Sequence, residues 1–466
     1  MKVIAIDLGA TSGRVMTITH ENHRFSIEED ARFLNRTYLD EKGYLRWDFS
    51  YLFSQIKDGL FKALEKHPDV SSVGIDTWGV DYGLIRDGRL IDNPICYRDI
   101  HSFLSQKETL SKMPFSKIYS LVGIQNLHFN TIYQLAADKT DFSSVDSLLL
   151  IPDLIAYFLT GAKRMEETNA STTSLYDAGS RSVLEELLAL SNTPKRVFAP
   201  LIFPGEKYGN LKKEFLPSIC QKDIPVVAVS THDTASAVLG ASGEGRFAYI
   251  SSGTWSLIGT ELDKPIMTKK SEQYNFTNEI GYNHSVRFLK NTMGMFLLNE
   301  LRNDYKKKGI DIATKDIASL GKKAKDVDFT LDVDDPLFEQ PGDMLSKLDA
   351  YLKRNGVTID LTPGEVIRLV YRSMAKKYHQ IILELEELTG NKMNSILVVG
   401  GGNQASLLNQ FIADECQIEV ITGASEATIM GNALAQFIAL GEISSVKEGR
   451  KDIKESFPSY TYRPNH

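Results

Sequence analysis

The chain alternates short apolar runs with polar turns, and two of these turns share a pattern. Residues 2–7 predict a short buried strand, residues 9–13 a tight turn and residues 14–19 a returning strand. The same succession recurs at residues 246–261, where apolar runs enter and leave the turn Ser-Ser-Gly-Thr-Trp-Ser. Both turns contain a G-x-x-S core, and they lie about half the chain apart. The pattern predicts two related halves, each beginning with a glycine-rich β-hairpin.

Beyond the hairpins, apolar strands alternate with helices in both halves. Thr362, Pro363 and Glu365 form a capping box with proline at the first helical position, which predicts a long amphipathic helix that ends at Gly390. The other predicted elements are strands over residues 72–76, 82–85, 225–230, 395–399 and 418–421, and helices from residue 235 and over residues 405–415 and 425–440. This alternation favours an α/β fold with a mixed sheet in each half.

Residues 321–343 interrupt the alternation. The segment is rich in charged residues and contains two prolines. Because proline and charge favour loops at the surface, we expect an exposed insertion here.

Composition narrows the class of protein. The chain has 466 residues, 42% hydrophobic and 24% charged, values typical of a globular protein with two or three domains. Its 53 basic and 60 acidic residues give a net charge of −7, which indicates no surface for nucleic acid or anionic lipid. The first residues lack the apolar core of a signal peptide, and no apolar run is long enough to span a membrane. We expect a cytoplasmic monomer or small homo-oligomer with no nucleic-acid or membrane partner.

The two glycine-rich turns are candidates for phosphate binding. Amide groups exposed in such a turn donate to phosphate oxygens, and hydroxyl groups at the tip add donors. Thr11 and Ser12 supply hydroxyls in the first turn, and Ser252 and Thr254 in the second. Hairpins also use glycine and serine for backbone reasons alone, so either turn by itself favours a structural role, and only the two turns together leave both interpretations open. The P-loop motif is absent from the sequence, which excludes a P-loop nucleotide hydrolase.

Two carboxylates and a histidine stand where chemistry can occur. Asp7 ends the first strand, where it either holds a hydrated Mg²⁺ on phosphates or initiates the turn. Asp233 lies between a strand and a helix, a place that suits a helix-oriented carboxylate or an ordinary N-cap. His232 beside it is a site residue or simply a hydrogen-bonded histidine. The glycines at residues 400–402 allow a flat ring to approach the backbone.

Several motifs in combination resemble a known family. They are DLGATSGR at 7–14, GIDTWGVDY at 74–82, YRD at 97–99, NTIYQL at 130–135, TNASTT at 168–173, THDTASAV at 231–238, SSGTWSL at 251–257, LKNTMG at 289–294 and VVGGGNQASLLNQ at 398–410. With them the chain resembles the FGGY carbohydrate kinases over nearly its whole length. The resemblance implies an α/β, two-domain actin/hexokinase-like (ribonuclease H-like) fold with a deep interdomain cleft. It implies an N-terminal domain over residues 1–242, mostly for sugar, and a C-terminal domain over residues 243–466, mostly for ATP.

The resemblance also implies a reaction, namely phosphorylation of L-rhamnulose at its 1-hydroxyl by Mg-ATP in rhamnose catabolism. Asp233 is implied as the general base, and Asp7 as the residue that holds Mg²⁺ through water. The sugar contacts implied are Gly79, His232, Asp233, Thr234 and Asn291. The ATP contacts implied are Ala10, Thr11, Ser12, Gly13, Arg14, Thr254 at the γ-phosphate, Asn299, and Gly401 under the adenosine.

Two positions depart from the family pattern. Asn299 stands where a glutamine is expected near the nucleotide, which implies a shorter or water-mediated contact. His101 stands where the family commonly has an arginine after the YRD motif, which changes the charge expected on the sugar side.

The motifs specify phosphate chemistry more firmly than sugar stereochemistry. A kinase for another ketose or polyol, such as fuculose or xylulose, is therefore the alternative within the family. A non-catalytic sugar or nucleotide sensor and a chaperone-like ATPase share the same fold. The joint presence of Asp7 and Asp233 argues against the sensor, and the lack of a following peptide-binding domain argues against the chaperone.

Overall fold

The computed structural model describes residues 1–220, 222–241, 243, 245–424 and 426–465. The chain forms two compact units, each assembled from several segments. The first consists of Met1–Ser242, Glu261–Phe288 and Glu426–Phe457, and the second of Gly243–Thr260, Leu289–Ser425 and Pro458–His466. The division at residues 242 and 243 remains a sequence-based prediction, and residues 242 and 466 lie outside the described residues.

Strands and helices alternate along the chain. The strands are β1 (Lys2–Leu8), β2 (Ser12–Glu21), β3 (Arg24–Leu34), β4 (Thr37–Leu39), β5 (Leu45–Trp47), β6 (Val73–Thr77), β7 (Tyr82–Arg86), β8 (Arg89–Leu90), β9 (Ser147–Leu150), β10 (Met165–Glu166), β11 (Tyr176–Asp177), β12 (Ser182–Val183), β13 (Leu201–Ile202), β14 (Lys207–Asn210), β15 (Pro225–Val227), β16 (Phe247–Ser252), β17 (Trp255–Leu262), β18 (Thr277–Ile280), β19 (Val286–Met293), β20 (Ser395–Val399), β21 (Glu419–Thr422) and β22 (Thr461–Tyr462). The α-helices are α1 (Phe49–Lys66), α2 (Ser102–Lys112), α3 (Phe115–Val122), α4 (Thr131–Ala137), α5 (Ile151–Thr160), α6 (Glu167–Ala170), α7 (Glu185–Leu188), α8 (Asp233–Leu239), α9 (Lys269–Gln273), α10 (Phe296–Lys307), α11 (Ile317–Lys323), α12 (Met344–Arg354), α13 (Pro363–Thr389), α14 (Ser406–Cys416), α15 (Ala427–Ala439) and α16 (Val446–Ser456). None of the helices in the described part of the chain is long and apolar enough to cross a membrane.

A six-stranded mixed sheet in the order β14-β15-β6-β1-β2-β3 forms the centre of the first unit. Strands β1, β2 and β3 form an antiparallel meander, whereas β6 and β15 run parallel to β1. Val3, Ile4, Ala5 and Ile6 of β1 are all fully buried, as a central strand covered on both faces requires. The predicted hairpin over residues 2–19 is confirmed.

The second unit repeats this arrangement. Strands β16 and β17 form an antiparallel hairpin, β20 runs parallel to β16, and β21 runs parallel to β20. Strand β22 pairs antiparallel to β21, as β14 does with β15 in the first unit. The predicted mixed sheet in each half is confirmed, and the two glycine-rich hairpins occupy equivalent places in their sheets.

The longest helix, α13, begins and ends where the sequence predicts. The Thr362 side chain accepts a hydrogen bond from the Glu365 N–H, and the Glu365 carboxylate accepts one from the Thr362 N–H at 2.9 Å. Gly390 ends the helix in the left-handed conformation, with φ 67°. Met374 and Tyr378 of its apolar stripe are fully buried. The capping box therefore defines the N-terminus, and packing stabilises the rest.

Helices α8 and α15 cross closely in the first unit because each side of the crossing is a glycine. A Cβ at Gly240 would lie 2.8 Å from the Gly431 nitrogen, and a Cβ at Gly431 would overlap the Ser236 carbonyl oxygen. Side chains at either position would separate the helices. The crossing packs the late segment Glu426–Phe457 into the first unit.

The expected exposed insertion at residues 321–343 is confirmed only in part, because most of its residues are exposed or half-buried but a few buried side chains anchor it. Leu331, Val333 and Phe338 are buried, and the Asp334 carboxylate accepts hydrogen bonds from Thr292 Oγ1 at 2.8 Å and from the Met293 N–H at 2.7 Å. These three buried apolar residues lie among charged residues, and their spacing matches neither the period of a helix nor that of a strand over enough positions to be recognised in the sequence. The segment is thus largely at the surface but is held against the rest of the second unit by these contacts.

The strand and helix around Asp233 also differ from expectation. The strand predicted over residues 225–230 ends at Val227, and α8 begins at Asp233 rather than at Ala235. Beyond Val227 the regular ladder gives way to an isolated bridge between Thr77 and His232, and the Glu166 carboxylate accepts hydrogen bonds from the Thr231 N–H at 3.1 Å and from Thr231 Oγ1 at 2.6 Å. Asp233 is consequently the first residue of the helix, with His232 as its N-cap.

Candidate active site

Asp7 and Arg14 face each other across the first hairpin. They are register partners on β1 and β2, and the Arg14 guanidinium forms ion pairs with the carboxylates of Asp7 and Glu426. Glu426 immediately precedes α15. The Asp7 side chain is only 6% exposed, so little water can hydrate its carboxylate, and Arg14 supplies the compensating positive charge. The residue predicted to hold the metal and the arginine predicted to bind ATP are therefore bound to each other.

Asp76 lies beside Asp7 on the parallel strand β6. Its side chain is fully buried, and this burial, together with the neighbouring Asp7 carboxylate, raises the pKa of Asp76 well above its usual range. Asn432 Nδ2 donates a hydrogen bond to Asp76 Oδ2 at 2.6 Å. The raised pKa makes Asp76 easier to protonate than an ordinary carboxylate, which limits repulsion with the neighbouring Asp7 carboxylate.

Asn35 holds the backbone of the first turn. Its N–H donates to the Thr11 carbonyl at 2.9 Å, and its Nδ2 donates to the Gly9 carbonyl at 2.5 Å. The Gly9 N–H donates to the Ser12 carbonyl at 2.9 Å and closes the turn. Because these bonds engage the carbonyl oxygens, the tip at Ala10 and Thr11 presents donors, which is the polarity that a phosphate needs.

Asp233 has one carboxylate oxygen held and the other open. Oδ1 accepts hydrogen bonds from the Thr234 N–H at 2.6 Å and from Thr234 Oγ1 at 3.1 Å. Among the described residues, the recorded contacts of this carboxylate all go to Oδ1, which leaves Oδ2 for a ligand. Loss of hydration raises the pKa of Asp233, the charge of Asp7 adds to this, and His232 and Thr234 oppose it. A carboxylate that binds a proton more readily than usual is suited to general-base work.

His232 connects Asp233 to a buried ion pair. Its Nε2 lies 3.4 Å from Asp233 Oδ1, and its Nδ1 lies 2.9 Å from Arg287 Nη2 and 3.3 Å from Glu279 Oε2. Arg287 and Glu279 are themselves paired at 2.9 Å, and the Arg287 side chain is fully buried. The histidine beside the predicted base is thus part of a network, not an isolated side chain.

Two of the predicted glycines have packing reasons to be glycine. A Cβ at Gly13 would overlap the Phe33 ring. A Cβ at Gly79 would lie 2.9 Å from Thr172 Oγ1 and 3.0 Å from its Cγ2. Gly79 has no positive φ, and the left-handed residue is the adjacent Val80, at φ 67°. A left-handed backbone therefore does not explain glycine at position 79, and a methyl group there would press on Thr172.

The turn of the second hairpin is held in the same manner as the first. The Met295 N–H donates to the Gly253 carbonyl at 2.9 Å, and the Phe296 N–H donates to the Thr254 carbonyl at 3.3 Å. These donors belong to the start of α10, and Gly294 allows the close approach because its Cβ would meet the backbone at 2.6–2.8 Å. With its carbonyls engaged, the turn leaves the Thr254 hydroxyl and neighbouring amides for an anion.

The glycines between β20 and α14 are not equivalent. Gly400 has φ 78°, and its Cβ would lie 2.8 Å from the Ser252 carbonyl oxygen, while a Cβ at Gly402 would overlap the Ser252 side chain. Gly401 is exposed, and its Cβ would meet nothing nearer than 3.9 Å. Packing in this unit requires glycine at 400 and 402 but not at 401, so only Gly401 has space for a ligand over its Cα.

The remaining predicted residues are dispersed. Asn291 is half-buried in β19, and Asn299 is exposed on α10. Both belong to the second unit with Thr254 and Gly401. His101 is directed at Asp99, with Nδ1 at 3.0 Å from Asp99 Oδ1, and burial lowers its pKa. At the position where an arginine was expected, the His101 side chain is thus engaged with Asp99.

Sequence reasoning missed four residues that organise these sites, namely Asn35, Glu279, Arg287 and Glu426. Glu279 and Arg287 lie on the neighbouring strands β18 and β19. Asn278 on β18 and Lys290 on β19 are polar as well, so nothing in the sequence of these strands marks Glu279 and Arg287 as a buried pair. Asn35 and Glu426 stand in loops with no periodicity to reveal them.

Comparison with known proteins agrees with this geometry. Models of the FGGY family of carbohydrate kinases match residues 2–240 with the N-terminal domain and residues 248–440 with the C-terminal domain. A curated rhamnulokinase from Enterococcus faecalis is 38% identical over 468 residues, covering 99% of this chain and 94% of that protein. One from Bacteroides thetaiotaomicron is 36% identical over 466 residues, covering 99% and 95%.

Solved structures show the same fold. A ligand-bound xylulose kinase from Lactobacillus acidophilus superposes with a TM-score of 0.80 at 15% identity, covering 100% of this chain and 94% of that one. A glycerol kinase from Plasmodium falciparum with ADP gives 0.79 at 14% identity, with the same coverage. The expected actin/hexokinase-like fold is confirmed. Both family models and the curated relatives span nearly the whole sequence, so this chain belongs to the FGGY family of carbohydrate kinases.

Proposed function

We propose that the chain transfers the γ-phosphoryl group of ATP to the 1-hydroxyl of L-rhamnulose, giving L-rhamnulose 1-phosphate and ADP. Similarity to curated rhamnulokinases over 99% of the chain supports the choice of sugar. The observation that carries the chemistry is Asp233, whose Oδ1 is held by Thr234 while Oδ2 is open. Since ATP is the donor, we assign the reaction to the cytoplasm.

The first chemical task is to remove a proton from the sugar. Asp233 Oδ2 would accept the proton of the 1-hydroxyl as its oxygen attacks the γ-phosphorus in line. The raised pKa of Asp233 favours this transfer because it increases the affinity of the carboxylate for the proton. Gly79, His232, Thr234 and Asn291 would orient the sugar, so that the hydroxyl to be phosphorylated is the one that reaches Asp233.

The second task is to neutralise the triphosphate. The two turns present donors at their tips because Asn35 in one case and α10 in the other engage their carbonyls. Residues 10–14 and Thr254 would bind the phosphates, Gly401 would lie under the adenosine, and Asn299 would reach the nucleotide directly or through water. Arg14 would exchange its carboxylate partners for a phosphate oxygen.

A divalent metal accompanies ATP in phosphoryl transfer, and the carboxylates at the end of β1 suit one. The charge of Asp7 contributes to the raised pKa of both Asp76 and Asp233, so a cation beside these carboxylates would relieve their mutual repulsion. Asp76 Oδ1 is buried without a hydrogen-bond partner among the described residues. We propose that Asp7 holds Mg²⁺ through water, an arrangement typical of this ion. When bound, Mg²⁺ supplies charge neutralisation on the phosphates.

ADP release with a panel of sugars tests the proposal. We expect L-rhamnulose to be phosphorylated with a kcat/KM at least about tenfold above that for L-fuculose or D-xylulose, a ratio within reach of hydroxyl recognition. Higher activity on one of the other sugars would replace the substrate but keep the kinase. ADP release that no sugar stimulates would contradict the kinase assignment and favour a sensor.

A further inference from the structure

Three side chains in the first unit lead from a buried cation to the proposed general base. Arg287 Nη2 lies 2.9 Å from His232 Nδ1, and His232 Nε2 lies 3.4 Å from Asp233 Oδ1. The same Nη2 lies 2.9 Å from Glu279 Oε2, and Arg287 Nε donates to the Ile280 carbonyl at 3.2 Å. The guanidinium is therefore held from two sides and directed at one ring nitrogen of His232.

The chemistry of these groups determines where the histidine carries its proton. A guanidinium only donates hydrogen bonds, so His232 Nδ1 must accept from Arg287 and cannot itself carry a proton. Nη2 has two hydrogens, one for Glu279 and one for His232, so both 2.9 Å contacts are satisfied together. The remaining proton of the neutral ring must be on Nε2, which faces Asp233.

We propose that Arg287, anchored by Glu279, is a positioning residue that fixes His232 as the Nε2–H tautomer. With its proton on Nε2, the histidine presents a donor rather than a lone pair towards Asp233 Oδ1, the oxygen that the two Thr234 donors hold, and the base presents Oδ2 to the sugar. The kinetic part of this proposal rests on the proposed kinase function, whereas the tautomer does not.

The burial of the ion pair supports a role beyond stability. The Arg287 side chain is fully buried and that of Glu279 is 8% exposed. Loss of hydration alone would raise the pKa of Glu279, but Arg287 and the neighbouring His232 together outweigh it and lower the pKa to about 2. Pairs buried to this extent are often no more stable than apolar residues of the same size, so burial by itself does not explain the pair.

Without Arg287 the network has an obvious alternative. His232 Nδ1 lies 3.3 Å from Glu279 Oε2, so a proton on Nδ1 would be donated to that carboxylate. Nε2 would then direct a lone pair at Asp233 Oδ1. Repulsion between the two would turn the base, and misplacement by about 1 Å costs on the order of 10²-fold in rate.

Nitrogen NMR of the full chain, labelled at its 9 histidines, measures the tautomer directly. His232→Gln assigns the resonances by their loss. We expect wild-type His232 to be neutral, with a proton on Nε2 and none on Nδ1, and Arg287→Met to move the proton to Nδ1. A wild-type His232 protonated on Nδ1, or on both nitrogens, would overturn the proposal.

Kinetics then test the consequence of the tautomer. Arg287→Met should lower kcat on the order of 10²-fold while leaving the KM for ATP unchanged. Arg287→Lys, which keeps a cationic donor, should recover part of the loss. Arg181→Met is the matched control, because Arg181 Nη2 lies 3.0 Å from the His284 ring nitrogens and its Nε lies 3.1 Å from Glu167 Oε1. This control removes an arginine that contacts both a histidine and a glutamate, as Arg287 does, but it does not contact His232. Its kcat should stay at the wild-type value.

A second variant covers the case in which Arg287→Met does not fold. The double variant Arg287→Met, Glu279→Gln removes both buried charges and should show the same change in kcat. Wild-type kcat in either folded variant would overturn the positioning role. If the wild-type protein phosphorylates no sugar, the proposed function fails, yet the NMR experiment still decides the tautomer.

Discussion

Arg14 pairs with Asp7 directly across the β1–β2 hairpin, and the same guanidinium binds Glu426 ahead of α15. The arginine predicted to contact ATP thus neutralises the carboxylate predicted to hold the metal. Any ligand phosphate competes with two carboxylates for Arg14, and any metal ion competes with Arg14 for Asp7. Without ligands, Arg14 and the two carboxylates balance one another's charges. Bound metal and phosphate would take over these pairings.

Arg14→Met should lower stability by about 2 kcal/mol, less than for a fully buried pair, because Asp7 loses its counter-charge. Mg²⁺ alone should restore part of the lost melting temperature in this variant and have a smaller effect on the wild type. Arg32→Met is a matched control, since Arg32 is the register partner of Arg14 on β3 but pairs with Glu29 at the surface. An equal Mg²⁺ effect on all three proteins would contradict competition at Asp7.

Gly401→Val should raise the KM for ATP about tenfold and leave the melting temperature unchanged, because only a ligand needs the space over Gly401. Gly402→Ala is the contrasting variant, and it should cost about 1–3 kcal/mol through overlap with Ser252. Steady-state kinetics and thermal melting on both variants measure the two effects. A destabilised Gly401→Val with normal ATP kinetics would remove Gly401 from the nucleotide site.

Gly79→Ala should lower stability by about 1–3 kcal/mol, because the new methyl group presses on Thr172. Adding Thr172→Ser removes one of the two crowding atoms and should recover part of the melting temperature, whereas Thr173→Ser should not. If Gly79 also contacts the sugar, the KM for L-rhamnulose remains raised in the rescued double variant. A normal KM in that variant would leave Gly79 with a packing role only.

Glu279 should make stability fall in acid. Its pKa is about 2 in the folded protein, below the ordinary 4.5, so its stabilising contribution is complete above pH 4.5 and is lost as the pH falls towards 2. The shift corresponds to on the order of 3 kcal/mol. Glu279→Gln should therefore melt well below the wild type at pH 6, and the gap should narrow on acidification to pH 3. A gap that is constant with pH would contradict the paired, ionised Glu279.

The sequence predicted the elements whose information is local. The hairpin turns, the Thr362 capping box and the Gly390 stop are short motifs with a backbone cause, and the structure has them where expected. Asn35 and Glu426 could not be found in this way, because each acts on a residue distant in sequence through a loop. In residues 321–343, composition predicted the exposed character of most positions but not the buried Leu331, Val333 and Phe338, because charged residues surround them.

Asp233→Asn tests the central claim most directly, because it keeps an oxygen for the Thr234 donors and removes the proton acceptor. We expect turnover with L-rhamnulose to fall by on the order of 10²–10⁴, while calorimetry shows ATP and L-rhamnulose binding within about threefold of the wild type. Phosphorus NMR of the wild-type product should show the phosphate on the 1-hydroxyl. Turnover of Asp233→Asn within about threefold of the wild type would contradict general-base catalysis by Asp233.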